Sequence, residues 1–397
     1  MIPALLTKNK NFRKLFIAGL CSELGGFVTE TAIVLHLYQI SGQDPFYMGL
    51  SRGVFILLFF IGSLLGGSLS SKFAIKKILI TCELIRIPLT LTLLFFKDPL
   101  TVILANSSIA FFTGVFSPNK KSFINLLVKP EETKKAQAIH STSFAIIHLV
   151  APIIATLLFT KIGFQSIVVF DIISYLLGSF ILLSILYEKK KDLTQTSFFE
   201  TFKRGMHYSF KSYPIRAMNL NGLFCGLTVG VLLSMLLPYF ETISDKPNEV
   251  YGLSISLFGL GGLLGGAAFL YLLKFFKAGK IIFTSVFLEN LIFLVWVFQS
   301  SEFVSLFLFL CWGLVVFIRV SGQFGLVSEI VESKLQPQVY SAIEVSFMVP
   351  NVLGALIAGF LSKTYPPTDI LTVTAIFVMV ITILRIFVRS TKELVKV

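Results

Sequence analysis

Charge is what this 397-residue chain has least of: 14% of its residues are Asp, Glu, Lys or Arg, against roughly 25% in a water-soluble domain. That leaves too little polar surface to cover a soluble body of this size. Histidine is also scarce. His36, His140, His148 and His207 are scattered without ligand spacing, and there is no phosphate loop or nucleophile motif. A resident metal, a cofactor, a nucleotide-driven pump and an enzyme are therefore not expected. The four cysteines, Cys21, Cys82, Cys225 and Cys311, lie far apart within apolar stretches and read as small apolar filler. No polar loop is long enough to hold a catalytic domain.

What the chain has is apolar sequence, 55% of its residues with 42 Phe, and a mean hydropathy of +0.85. Stretches of about 20 residues, enough to cross a bilayer, follow one another throughout. Twelve are expected, at 14–38, 46–69, 78–96, 99–116, 138–160, 165–187, 216–240, 250–273, 281–299, 303–325, 341–361 and 370–388. The fold class is an all-α integral membrane protein. The longest polar break opens with Lys189-Lys190-Lys191, which reads as a stop-transfer and lipid-contact cluster. It divides the chain into an N-terminal six-helix bundle (1–187), a linker loop (188–215) and a C-terminal six-helix bundle (216–397).

The net charge of +13 invites a nucleic-acid reading, but its distribution opposes one. With twelve spans, 26 Lys and Arg fall on the side of the termini, Lys120 and Lys121 among them, and five on the other; Arg86, Arg319 and Arg385 fall inside spans. Positive charge on that scale orients a membrane protein, with both termini cytoplasmic. The polar lead from Met1 to Lys14 lacks a small-residue cleavage site, so the first span is expected to be retained.

A phrase also repeats. Gly62-Ser63-Leu64-Leu65-Gly66-Gly67 returns as Gly261-Gly262-Leu263-Leu264-Gly265-Gly266, an offset of 199, and each copy precedes a basic loop: Lys72, Lys76 and Lys77, then Lys274, Lys277 and Lys280. Two pseudo-symmetric halves in the same orientation are implied. Glycines four apart allow close helix packing, as a plain interface or as a sliding one.

Several stretches resemble the major facilitator superfamily, and within it the macrolide-efflux and enterobactin-exporter branch. They are Asn11 to Phe16 with Gly19 and Ser22 to Gly25, Gly66 to Lys77, Glu83-Leu84-Ile85-Arg86, Pro118 to Val128, Asp171 to Tyr175 and Gly205 to Ala217. Two departures stand out. Ser71-Lys72 occupies the place of the family's Asp-Arg pair, and Ala151-Pro152-Ile153 keeps the proline of an antiporter motif without its glycines. The resemblance implies the major facilitator fold, a monomer in a bacterial inner membrane, and a central cavity lined in part by the first span.

Glu23 and Glu30, seven residues apart, share one face of the first span. A charge at the bilayer centre costs about 2.5–3.5 kcal/mol, so that face must meet protein or water. The two are candidates for proton coupling or for a structural pair. Arg319 is a candidate to pair with a carboxylate of the first span or with Glu344, or to bind an anionic substrate group. His36 and Arg52, with Tyr47, are gate candidates; His148 is a proton-transfer candidate; Asn219 and Asn221 are polar cavity candidates. Glu83 with Arg86 reads as a local ion pair, and Asp171 and Pro152 as structural. The expected function is proton-coupled export of an amphipathic small molecule, a drug or siderophore. Import of a siderophore or metabolite, or a lipid-handling or non-transporting role, remains open. The expected partners are substrate, protons and membrane lipid, and no nucleic acid.

Overall fold

Apolar stretches in hydrocarbon must satisfy every backbone N–H and C=O internally, which leaves the helix as the open-chain solution. The computed structural model describes residues 4–186, 198–332 and 335–397 and among them contains helices and no strand. Eleven helical runs are long and apolar enough to span a membrane. They are α1 (Lys10–Ile40), α2 (Pro45–Lys72), α3 (Ile75–Phe95), α4 (Pro99–Leu127), α5 (Thr133–Leu183), α6 (Tyr213–Phe240), α7 (Pro247–Leu272), α8 (Ala278–Val297), α9 (Glu302–Ile330), α10 (Gln336–Leu361) and α11 (Pro367–Leu384). The run α5 is two spans: Gly163, at φ 79° and ψ 167°, breaks it into arms 133–162 and 164–183. Only glycine adopts that backbone readily, and each arm has the roughly 20 residues a span needs. The twelve expected spans are thus all present.

Local signals set the helix ends. Asn9 accepts the Phe12 N–H at 2.9 Å, and Asp98 accepts the Thr101 N–H at 3.0 Å. The bonds from Thr101 hold the Asp98 carboxyl below the usual aspartate range. Pro99, Pro247 and Pro367 open α4, α7 and α11, where a missing N–H costs nothing.

The chain forms two compact units, 1–43 with 54–195 and 44–53 with 196–397. In the first, Phe12, Leu15, Leu79, Phe123 and Ile185 share a core. In the second, Ile215, Met218, Ile282, Val327 and Leu394 share another, and Trp296 donates its indole N–H to Ser305 Oγ at 2.7 Å amid Tyr239, Phe293, Phe309 and Trp312. Large apolar side chains such as Phe180 and Phe303 point outward, as a lipid-facing surface requires. Within the stretch expected to link the halves, residues Phe198–Lys211 form a helix. Gly205 seats it on the Gln338 carbonyl, and Lys203, Arg204, His207 and Lys211 are exposed. Lys189, Lys190, Lys191 and Lys334 lie outside the described residues.

The repeated phrase has a physical cause. A Cβ on Gly62 would strike the Phe111 carbonyl, and one on Gly66 would lie 2.7 Å from the Val115 oxygen. Gly261 faces the Leu310 carbonyl and Gly265 the Leu314 carbonyl in the same way. The return contacts match too: Gly114 meets the Phe59 carbonyl, and Gly313 the Phe258 carbonyl. Every partner is displaced by the same 199 residues. The last glycine of each phrase takes no part, since a Cβ on Gly67 meets nothing within 4 Å and one on Gly266 only Ser321 Oγ at 3.9 Å. The basic loops repeat as well. Lys76 Nζ donates to the Leu183 and Ile185 carbonyls at 2.9 and 2.7 Å, closing the end of α5. Lys277 Nζ donates to the Lys396 carbonyl at 2.7 Å, near the end of the chain. Cations on orphan C-terminal carbonyls are the favoured arrangement. Lys72 and Lys77 are exposed at the same turn.

Candidate functional site

The first unit gathers five charged groups, four of them buried. Glu23 on α1 accepts from Lys120 on α4 at 2.7 Å, with the two side chains 17% and 4% exposed. Lys120 was expected on a loop. It sits instead inside α4, fully buried, because Asn119 carries the helix past Pro118 by donating to the Gly66 and Val115 carbonyls at 2.9 and 2.8 Å. Gly19 clears the way for it: a Cβ there would collide with Lys120 Nζ.

Glu83 and Arg86 on α3 pair at 3.5 Å as expected and are both buried. Arg86 also donates to the Phe112 carbonyl at 3.1 Å and lies over the rings of Phe116 and Tyr175 at 4.8 and 5.5 Å. Asp171, on the second arm of α5, accepts from Ser174 Oγ at 3.2 Å and is 1% exposed. Gly25 makes room for it, since a Cβ would lie 2.7 Å from Asp171 Oδ1. These groups share one electrostatic field. Glu83 experiences the charges of Arg86, Lys120 and Glu23, and Asp171 those of Arg86 and Glu83. The cluster therefore holds three carboxylates against two cations.

The second unit buries a different set. Arg319 on α9 donates from Nε to Glu289 Oε1 on α8 at 2.5 Å, a carboxylate that was not among those expected for it. Its Nη1 reaches Gln323 Oε1 at 3.2 Å, and Cys225 Sγ on α6 approaches Glu289 Oε2 at 3.8 Å. Glu344 has an exposed side chain on α10. Arg385, 5% exposed, donates from Nη2 to the Ala217 carbonyl at 3.0 Å. Here two guanidiniums accompany one carboxylate. Glu289 was missed because a single Glu in an apolar run carries no local sign of a partner thirty residues on.

The remaining candidates disperse. Glu30 is half-buried on α1. His36 stacks on Phe164 at 3.9 Å and 11° within the first unit, whereas Tyr47 and Arg52 belong to the segment 44–53 of the second. His148 lies in an aromatic nest, 3.9 Å from Phe27 and 4.5 Å from Phe144 between ring centroids. Pro152, in the first arm of α5, leaves its carbonyl to Thr156 Oγ1 at 3.1 Å. Asn219 accepts from Ser346 Oγ at 3.2 Å, and Asn221 is fully buried with neither amide atom hydrogen-bonded. Among the described residues no group of three His, Cys, Asp or Glu could hold a metal.

Comparison with known proteins agrees with this architecture. The chain is 23% identical over 329 residues to an uncharacterized MFS-type transporter, YkuC, of Bacillus subtilis (strain 168), covering 75% of this chain and 74% of that protein. Crystal structures of the nucleoside transporter NupG (10% identical, TM-score 0.77, 95% of this chain and 98% of that one) and of a POT family transporter in complex with 5-aminolevulinic acid (12%, 0.77, 97% and 96%) share its fold. So does a bacterial homologue of the human lysosomal transporter Spinster (14%, 0.71, 97% and 96%). The Major Facilitator Superfamily profile matches residues 15–355. A multi-pass helical chain with an internal repeat, matched by that profile over most of its length, belongs to the Major Facilitator Superfamily, whose members are carriers and not enzymes.

Proposed function

We propose that the protein is a proton-coupled secondary transporter that exports an amphipathic small molecule, a drug-like compound or a siderophore, across a bacterial cytoplasmic membrane by alternating access. The observation that carries the coupling is the uneven charge count in the first unit. Three carboxylates, the part-buried Glu23 and the buried Glu83 and Asp171, accompany two buried cations, Lys120 and Arg86. An uncompensated buried carboxylate costs several kcal/mol, and one bound proton removes that cost. A rearrangement that hydrates the cluster releases the proton. Glu30, on the same helix as Glu23, is the second coupling candidate. The export direction rests on the resemblance to the macrolide-efflux and enterobactin-exporter branch, from which the stretch around Pro152 departs in lacking the antiporter glycines.

The driving force is adequate. One inward proton supplies about 2.3 kcal/mol per 100 mV and about 1.4 kcal/mol per pH unit, enough for a concentration ratio of tens to hundreds. The test is proton movement in inverted vesicles, followed with a pH-sensitive dye while pooled drugs and siderophores are added. Wild type is expected to release protons from the acidified lumen on addition of one pool, with the response reduced in Glu30→Gln and lost in Asp171→Asn. A response of the opposite sign would mark an importer. No response to any pool from folded protein would overturn the reading for those substrates.

A further inference from the structure

Two basic side chains near the ends of the spans converge on a single ring. Arg216, in the first turn of α6, and Arg389, in the short C-terminal helix Arg389–Lys396, both lie over the ring of Tyr213. Their guanidinium carbons are 5.2 and 4.7 Å from its centroid. Each is within 5.2 Å of one point, so they cannot be further apart than about twice that. Elsewhere in the second unit, Lys274 over Tyr271 and Lys280 over Phe276 are one cation to one ring.

Two like charges on one ring repel, and an anion beside them relieves that repulsion. Nothing in the described chain does so. Arg216 donates from Nη2 to the Phe210 carbonyl, while its Nε is buried without a hydrogen-bond partner. The carboxylate one turn beyond Arg389, Glu393, is taken by Lys396 at 2.9 Å. The site is built rather than accidental. Arg385 Nη2 on the Ala217 carbonyl and Lys277 Nζ on the Lys396 carbonyl fasten the C-terminal segment beside the start of α6.

The surroundings specify the anion. Phe210 and Phe387 are 65% and 72% exposed, and Ile386 and Val388 beside them are also exposed. Lys211 and His207 extend the basic surface along the helix Phe198–Lys211. A doubly arginine-flanked ring beside outward apolar side chains suits a phosphate at the interface with acyl chains below it, and not a fully hydrated ion.

We propose that Arg216, Tyr213 and Arg389 form a binding site for the phosphate of an anionic phospholipid, which locks the C-terminal segment onto α6. The site is independent of what the protein transports. A phosphate accepts guanidinium N–H groups readily, and cations at the interface attract anionic headgroups.

The experiment is native mass spectrometry of the full-length protein titrated with equal amounts of phosphatidylglycerol and phosphatidylcholine. Wild type is expected to retain one phosphatidylglycerol with roughly tenfold preference. Arg216→Gln/Arg389→Gln is expected to lose that preference, and Lys203→Gln/Arg204→Gln, on exposed residues of the neighbouring helix, to keep it. If the double variant does not fold, Arg389→Gln alone, on an exposed side chain, is expected to weaken the preference several-fold. A wild-type protein without preference, or a folded Arg216→Gln/Arg389→Gln with preference intact, overturns the proposal. Displacement of the lipid by millimolar inorganic phosphate would assign the site to a free anion and overturn the lipid assignment.

Discussion

Lys120 and Arg319 occupy the same place in the repeat, 199 residues apart on α4 and α9, yet they take their carboxylates from different helices. The glycine contacts that precede them, at Phe111 and Val115 in one half and Leu310 and Leu314 in the other, fix the equivalence. Lys120 bonds Glu23 on α1, whereas Arg319 bonds Glu289 on α8. The two halves share a backbone and differ in how they distribute charge. The first carries a carboxylate in excess and the second a guanidinium.

Breaking the Glu289–Arg319 pair from one side leaves a buried charge exposed to apolar surroundings. Arg319→Gln is expected to destabilise the protein by about 3–5 kcal/mol, and Glu289→Gln/Arg319→Gln by clearly less. Thermal unfolding of the wild type and the two variants in one detergent checks the order. Equal losses in the single and double variants would show that the pair contributes nothing beyond packing.

For Glu23 and Lys120, exchanging the partners separates charge from position. Lys120→Glu alone places two carboxylates beside each other and is expected to abolish folding or transport. Glu23→Lys/Lys120→Glu is expected to recover folded protein, measured as monodisperse yield.

The repeated glycines predict a contrast within one phrase. Gly62→Ala and Gly261→Ala drive a methyl into a facing carbonyl and should cost about 1–3 kcal/mol. Gly67→Ala meets open space and should be neutral or stabilising by up to about 1 kcal/mol. Unfolding temperatures of the three variants measure this.

Lys76 holds two carbonyls at the end of α5. Lys76→Gln is expected to cost about 1 kcal/mol and to raise amide hydrogen exchange at residues 181–185, where Lys77→Gln should not.

The helices and the repeat were legible in the sequence because both rest on local signals. Apolar length sets a span, Gly163 sets a break, and two glycine phrases at one offset set the symmetry. Glu83 with Arg86 was legible for the same reason, being one turn apart. The rest of the site depends on contacts between distant residues. Pro118-Asn119-Lys120-Lys121 carries the chemistry of a turn, and only the bonds from Asn119 to Gly66 and Val115 keep it helical and turn Lys120 inward. Glu289 is followed by Asn290 in an otherwise apolar run, and its partner lies on the next helix. Asp171 reads as one more polar residue in a span until Gly25 and Ser174 are seen to enclose it.

The central claim is that the buried cluster of the first unit holds one proton at neutral pH. Infrared difference spectroscopy of wild type and Asp171→Asn in lipid, across a pH series, tests it directly. The account predicts a protonated carboxylic acid band in wild type at neutral pH that disappears in Asp171→Asn or shifts in Glu83→Gln, alongside loss of substrate-evoked proton release. A wild-type spectrum with every buried carboxyl ionised at neutral pH would contradict it.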